Sequence, residues 1–328
     1  MSKSLLEVNN LSIIHKQTGK SIVRDINFKL NKGEVLGIVG ESGSGKTLTS
    51  HSLLGILQES LEIRGEIIFE GIKIEDFSKV RGRKISIIFQ DPFNALNPIL
   101  KIKDQIRILA ESHGVAYPLI ESEFIKLLKK VEITSPIRVL NSFPHQLSGG
   151  MLQRVIIAMI LLLKPLIVIA DEPTTSLDVT VQKEIIKLFK SIKEEFGISL
   201  IFITHDLFLA EEICDRILIM YSGYILEEGK ANTILNTPLH PYTMKLISSI
   251  PTVNEKNQKL SYIPGRVPNF LELKNGCPFA DRCVFSKEIC TNTLPELIKV
   301  NDSRVRCLGY YEEYKNTINL DNSIKLFV

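Results

Sequence analysis

Several things are scarce in this chain, and each scarcity narrows what it can be. Charge of one sign is not in surplus: 40 Lys and Arg face 37 Asp and Glu, a net charge of +3. The basic residues are dispersed rather than gathered, which argues against a dedicated nucleic-acid surface. The first residues, MSKSLLEVNNLSII, hold no apolar run followed by a small-residue cleavage site, so the chain is expected to stay in the cytosol. A long hydrophobic run is also missing. The most apolar stretch, VIIAMILLLKPLIVIA from Val155 to Ala170, is cut by Lys164 and Pro165. Crossing a bilayer needs about 20 apolar residues in a row, so a buried helix followed by a buried strand is expected here. Cysteine occurs only five times in 328 residues, and a reducing compartment disfavours structural disulfides. With 44% hydrophobic residues the chain can bury a sizeable core without such staples.

What is present is phosphate chemistry. VLGIVG, from Val35 to Gly40, is a short β-branched run, followed at once by ESGSGKT and a helix-prone segment. The order is strand, glycine loop, helix, and the spacing Gly40, Glu41, Ser42, Gly43, Ser44, Gly45, Lys46, Thr47 fits G-x-x-x-x-G-K-[ST]. Glycines let the backbone wrap so that successive N–H groups point at phosphate oxygens, and the helix start adds its positive end. Lys46 is expected to reach the β- and γ-phosphates and Thr47 to ligate Mg²⁺. An ordinary glycine turn is the bland alternative.

LIVIADEPTTSLD, from Leu166 to Asp178, opens as a fully buried parallel strand. Asp171 and Glu172 end it, at the strand edge where α/β sheets bind ligands. Asp171 suits Mg²⁺ held through water and Glu172 suits polarising an attacking water; capping the next turn is the alternative use of these acids. A second apolar strand, SLIFIT, leads into His205, placed to contact the γ-phosphate or to hold Glu172 and the water. His51, His113, His145 and His240 lack such a setting and read as surface or packing residues.

Four of the five cysteines crowd near the C-terminus as Cys277, Cys283, Cys290 and Cys307, spaced C-x5-C-x6-C-x16-C. Zinc ribbons prefer paired C-x2-C steps and bacterial ferredoxins tighter runs, so the pattern matches neither. Four thiolates suffice for a [4Fe–4S] cluster; Zn²⁺ and free thiols remain open alternatives. Cys214, in the apolar EEICDRILIM, reads as a buried packing residue.

Between the phosphate loop and the carboxylates lies PHQLSGGMLQR, and with it the set resembles the ATP-binding-cassette ATPases. LSGGM is similar to their signature motif, with Met151 in place of the usual final Gln. Ser148, Gly149 and Gly150 would open the buried helix and offer it to an anion. The resemblance implies that this anion is the γ-phosphate held by an opposite subunit, so that a second ATPase is required. It also implies that Gln90, in SIIFQDPFNALNP, senses Mg²⁺ and the γ-phosphate, and that Asp178 communicates across the dimer. One departure stands out. The family stacks adenine on an aromatic ring near the N-terminus, yet residues 1–27 contain no Phe, Tyr or Trp. His15 falls where that ring would be, and an imidazole offers less stacking area.

The segments ADEPTTSLDVTVQ, LSGGM, HPYTMKL, IPGRVPN and GCPFADRC together resemble, over nearly the whole chain, the ATPase subunits of peptide importers of the dipeptide, oligopeptide and nickel type. The implied fold class is α/β: a P-loop ATPase core with an antiparallel β subdomain and a helical signature subdomain at about 91–160. A small irregular, metal-anchored extension follows, giving an ATPase domain over 1–239 and an extension over 240–328. In the family that extension carries a [4Fe–4S] cluster at the four cysteines, and it would order the Pro-, Asn- and Lys-rich stretch at 254–275. The implied partners are a second, unlike ATPase subunit, two membrane permeases and a separate solute-binding protein, with the chain peripheral on the cytoplasmic side of the cell membrane and no nucleic acid involved. DPFNALNP, apolar and proline-punctuated, suits a docking surface or a plain loop. ESEFIKLLKKV places Phe124, Leu127, Leu128 and Val131 at helical spacing, expected to be core of the helical subdomain. A soluble cassette ATPase of translation or DNA repair is the rival reading, but tandem cassettes, long coiled coils and basic arms are absent from the sequence. A degenerate cassette that only binds nucleotide is disfavoured by the intact Lys46, Asp171, Glu172 and His205.

Overall fold

The computed structural model describes the chain except residues 1–3, 115, 176, 250–262, 316, 319 and 321–328. It comprises two compact units, one formed by Met1–Ile74 with Thr204–Val328 and the other by Glu75–Ile203.

The first unit begins with long strands β1 (Ser4–His15) and β2 (Ser21–Asn31), in which Leu6, Val8, Leu11 and Ile13 and then Val23, Ile26, Phe28 and Leu30 are buried, with Leu5 and Ile14 also buried where register shifts interrupt the alternation. That period-2 pattern is what a sheet with one covered face requires. β3 (Val35–Val39) is buried at every position and runs into the phosphate loop and α1 (Lys46–Ser52). β4 (Leu61–Phe69) and β5 (Ile72–Lys73) complete an antiparallel sheet in the order β2-β1-β4-β5.

The second unit carries β6 (Ile85–Ile88), then α2 (Ile102–Ser112), α3 (Tyr117–Lys130), α4 (Pro136–Leu140) and α5 (Gly149–Leu162). The apolar stretch divides as its sequence implies. α5 ends at Leu162, Lys164 adopts a left-handed φ of 50°, and β7 (Ile167–Asp171) follows, wholly buried. Phe124, Leu127, Leu128 and Val131 are buried, as the helical spacing predicts. Arg154 of α5 ties this unit together from a buried position, donating to the Val131 carbonyl at 2.9 Å, the Glu132 carboxylate at 2.6 Å and the Glu184 carboxylate at 2.9 Å. α6 (Val179–Phe196) and β8 (Ser199–Thr204) close the unit, with β6, β7 and β8 paired in parallel.

The chain then returns to the first unit through α7 (Leu207–Ile213), β9 (Arg216–Tyr221), parallel to β3, and β10 (Tyr224–Lys230), antiparallel to β9. Cys214 is buried, its Sγ packed where a Cβ on Gly37 would come within 2.9 Å, which agrees with a packing role. α8 (Ala231–Asn236) and α9 (Pro241–Ser248) follow. His240 is buried and caps α9, accepting the Tyr242 N–H, while the fully buried Glu227 accepts the N–H groups of Leu239 and His240. Burial pushes the Glu227 carboxyl up to about 7. After α10 (Glu288–Asn292), β11 (Ile298–Val300) and β12 (Ser303–Val305) form a hairpin that adds to the edge of β10. Of the stretch at 254–275, residues 254–262 lie outside the described residues; the rest is irregular. Among the described residues no helix is long and apolar enough to cross a membrane.

Candidate functional site

The phosphate loop lies between β3 and α1 in the first unit. Gly40 is forced by close approach: a Cβ there would sit 2.1 Å from the Met220 carbonyl oxygen of β9. Gly45, at φ 101°, turns the chain into α1. Lys46 is buried and curls back over the loop, donating to the Gly40 carbonyl at 2.8 Å and the Glu41 carbonyl at 3.0 Å. Ser42, Gly43 and Thr47 are exposed on the loop and Ser44 is buried within it. The loop is therefore shaped around the lysine, with the exposed residues left facing outward.

His15, at the end of β1, lies with its ring centroid 5.9 Å from that of Phe270, and its Nδ1 is 3.3 Å from the Thr18 hydroxyl. An aromatic ring from the C-terminal segment thus lies beside His15. That segment is pinned there: Lys20 donates to the Leu271 carbonyl at 2.7 Å and Ser222 to the Pro268 carbonyl at 3.2 Å. Val267, Pro268 and Phe270 share a cavity with Ile22, Ser42 and Gly43 of the loop region. His205 is exposed at the end of β8, and the following Asp206 caps α7 by accepting from Phe208 and Leu209.

The second unit carries Gln90, Asp171, Glu172, Ser148, Gly149, Gly150 and Asp178. Asp171 is buried at the C-terminal end of β7. Glu172 follows in a left-handed conformation, φ 46°, which costs a non-glycine residue energy and is held by its N–H donating to the Ile203 carbonyl at 2.9 Å. Its Oε2 accepts from the Thr175 hydroxyl at 3.0 Å and from Gln90 Nε2 at 3.3 Å. The glutamine and the carboxylate, 82 residues apart in sequence, are therefore neighbours. Ser148 caps α5, accepting the Met151 N–H at 3.3 Å. A Cβ on Gly150 would lie 2.7 Å from Val181 Cγ1 of α6, so a side chain there would force Val181 to shift. Asp178 caps α6 through Oδ1, accepting from Thr180 and Val181. Ser176 lies outside the described residues.

None of the five cysteines is joined in a disulfide. Cys277, Cys283, Cys290 and Cys307 line one cavity, whose other walls include Phe279, Phe285, Leu308 and Ile318. Burial pushes the Cys277 thiol up to about 12 and Cys283 to about 11, and raises Cys307 further. Among the described residues no three Cys, His, Asp or Glu side chains are gathered as for a single metal ion, so the expected metal anchor of the extension is not established by geometry. Sequence reasoning missed Phe270, Tyr221, Tyr242 and Arg282, all of which reach the phosphate-loop region or its neighbours. Only the fold brings them there.

Residues 23–175 match the family described as ABC transporter, and residues 226–290 match the oligopeptide/dipeptide transporter C-terminal region. The oligopeptide transport ATP-binding protein OppD of Haemophilus influenzae is 43% identical over 310 residues, covering 92% of this chain and 96% of that protein. The oligopeptide transport ATP-binding protein AppD of Bacillus subtilis is 39% identical over 324 residues, covering 94% and 98%. Among solved structures, cbiO1 from Clostridium perfringens, part of the ABC transporter complex cbiONQ, superposes with a TM-score of 0.63 at 29% identity, covering 72% of this chain and 92% of that one. A dimeric post-hydrolysis cassette bound to ADP and Pi, MJ0796, gives 0.60 at 29% identity, covering 69% and 98%.

Proposed function

The chain belongs to the ABC transporter family, among its oligopeptide transport ATP-binding proteins, and from that premise we propose how its own residues energise peptide import. It is the ATP-hydrolysing subunit of an importer for oligopeptides or dipeptides. The observation that carries this reading is the match of both the ATPase segment and the C-terminal segment to peptide-transport proteins over nearly their full length. Nickel-chelate import is the second reading; the names of the OppD and AppD relatives, both oligopeptide transport proteins, favour the first.

In this reading, residues 1–239 form the ATPase domain and 240–328 the extension. Gly40 to Thr47 cradle the triphosphate, with Lys46 on the β- and γ-phosphates and Thr47, Gln90 and Asp171 serving Mg²⁺. Glu172, held by Gln90 and Thr175, polarises the attacking water. His205 serves the γ-phosphate. Ser148, Gly149, Gly150 and Asp178 face the nucleotide of a second, unlike ATPase subunit. Two membrane permeases dock on the segment after Gln90, where Phe93 and Ile99 stand 49% and 78% exposed. Exposed apolar side chains of this size suit a partner surface. A solute-binding protein delivers the peptide outside, and this subunit sits peripherally on the cytoplasmic side. Co-purification tests the assignment: the tagged chain should bring two permeases out of detergent-solubilised membranes, and a purely soluble complex would contradict it.

His15 contacts adenine, with Phe270 beside it. His15→Ala should weaken ATP binding several-fold, the scale of losing one stacking partner; equal affinity in an equilibrium titration would remove this contact.

The four cysteines hold a [4Fe–4S] cluster as a structural anchor, the open alternative being Zn²⁺. The four cysteines line one apolar-walled cavity, and four thiolates suffice for such a cluster. When bound, such a group would cross-link the extension and take the place of the raised thiol protons. Anaerobically purified protein should be brown, with broad visible absorbance and about four irons per chain. Colourless protein carrying zinc would contradict this assignment.

A further inference from the structure

The phosphate loop contains an acidic side chain, Glu41, between Gly40 and Ser42. A carboxylate there is placed to repel the polyanion that the loop must hold. The fold supplies its counter-charge from the C-terminal extension, 241 residues away in sequence. Arg282 Nη1 donates to Glu41 Oε2 at 2.8 Å and Nη2 to Oε1 at 3.0 Å, a two-pronged pair of the strongest geometry available to these groups.

The guanidinium has no donor left over. Nη1 also reaches the Tyr221 hydroxyl at 3.2 Å, Nη2 the Ile263 carbonyl at 3.2 Å, and Nε the Pro264 carbonyl at 2.9 Å. The Arg282 side chain is 7% exposed and its charge lies over the Tyr221 ring, 5.6 Å from the centroid. The ring in turn packs against Tyr242 and Phe279 at 4.7 and 5.4 Å. Tyr242 completes the grip, its hydroxyl accepting the Glu41 backbone N–H at 3.0 Å. Glu41 is therefore fixed at both backbone and carboxylate by residues outside the ATPase motifs.

We propose that Arg282 is a positioning residue of the ATP site: it cancels the Glu41 charge and fixes the loop, so that nucleotide enters a preformed cradle with no uncompensated negative charge beside Lys46. A lysine would supply charge without the fork, and a neutral residue would leave the carboxylate uncompensated. The proposal rests on the reading of the loop as the ATP site.

The test is equilibrium binding of Mg·ATP and Mg·ADP to the full chain, at low and at physiological salt, for wild type, Arg282→Gln, Arg282→Lys, Glu41→Gln and the double variant Glu41→Gln/Arg282→Gln. Arg282→Gln should bind ATP about tenfold more weakly, with a larger loss for ATP than for ADP and a larger loss at low salt, as an unscreened charge requires. Arg282→Lys should recover part of the affinity. The double variant should return to within about threefold of wild type, because with Glu41 neutral the counter-charge is no longer needed. A double variant as weak as Arg282→Gln, or a loss identical for ATP and ADP at both salts, would mean that Arg282 only supports the fold and would overturn the proposal. Lys46→Ala, run alongside, separates the two levels: if it binds ATP as wild type does, the reading of the loop itself fails and the proposal with it.

Discussion

Glu172→Gln is expected to lower ATP turnover of the assembled complex by about 10²–10⁴-fold while leaving ATP affinity near that of wild type, the scale for removing a general base. The substitution keeps shape and removes charge. A glutamine oxygen can still accept from Thr175 and from Gln90, which hold Glu172 Oε2 at 3.0 and 3.3 Å, so the side chain should stay where it is. The backbone at this position is already committed: φ is 46° and the N–H is bonded to Ile203. Such strain persists only where surrounding structure over-determines it, and it clusters at functional sites. Steady-state turnover and equilibrium ATP binding, measured together, check the prediction. Turnover near wild type would remove Glu172 from the hydrolytic role, and lost ATP binding would indicate a structural one.

Lys46→Ala should instead abolish tight binding, weakening Mg·ATP by on the order of 10²-fold, since hydrogen bonds to charged groups are worth about 1.5–3 kcal/mol each and Lys46 can make more than one. The ammonium is buried and held by the Gly40 and Glu41 carbonyls, so it is presented inside the loop rather than swinging from solvent. Truncation also leaves those two carbonyls without this partner. A direct titration decides: affinity within threefold of wild type would contradict the phosphate role of Lys46.

These two predictions were legible in the sequence because the chemistry lies in contiguous segments whose periodicity also fixes their elements. VLGIVG became β3 and the lysine opened α1; the break at Lys164 and Pro165 separated α5 from β7. What could not be read was tertiary. Arg282 stands one residue before Cys283 and carries no local signal that would send it to Glu41. Phe270 sits in an irregular, proline-punctuated segment, and no periodicity points it at His15. The β11–β12 hairpin was also missed, because each strand is three residues long; the Asn301-Asp302 turn, with φ 53° at Asn301, was the available clue. The roles of Ser148 and Asp178 as helix caps follow from residue type at helix starts. Their proposed service to a partner's nucleotide is a second use of the same exposed helix starts.

Energised uptake is the most direct test of the whole account. The chain, its partner ATPase and the permeases, reconstituted in vesicles with ATP on the ATPase side and a peptide-loaded binding protein on the other, should accumulate peptide with wild-type protein and not with Glu172→Gln. Peptide accumulation that is unaffected by Glu172→Gln, or ATP hydrolysis that never moves peptide, would contradict it.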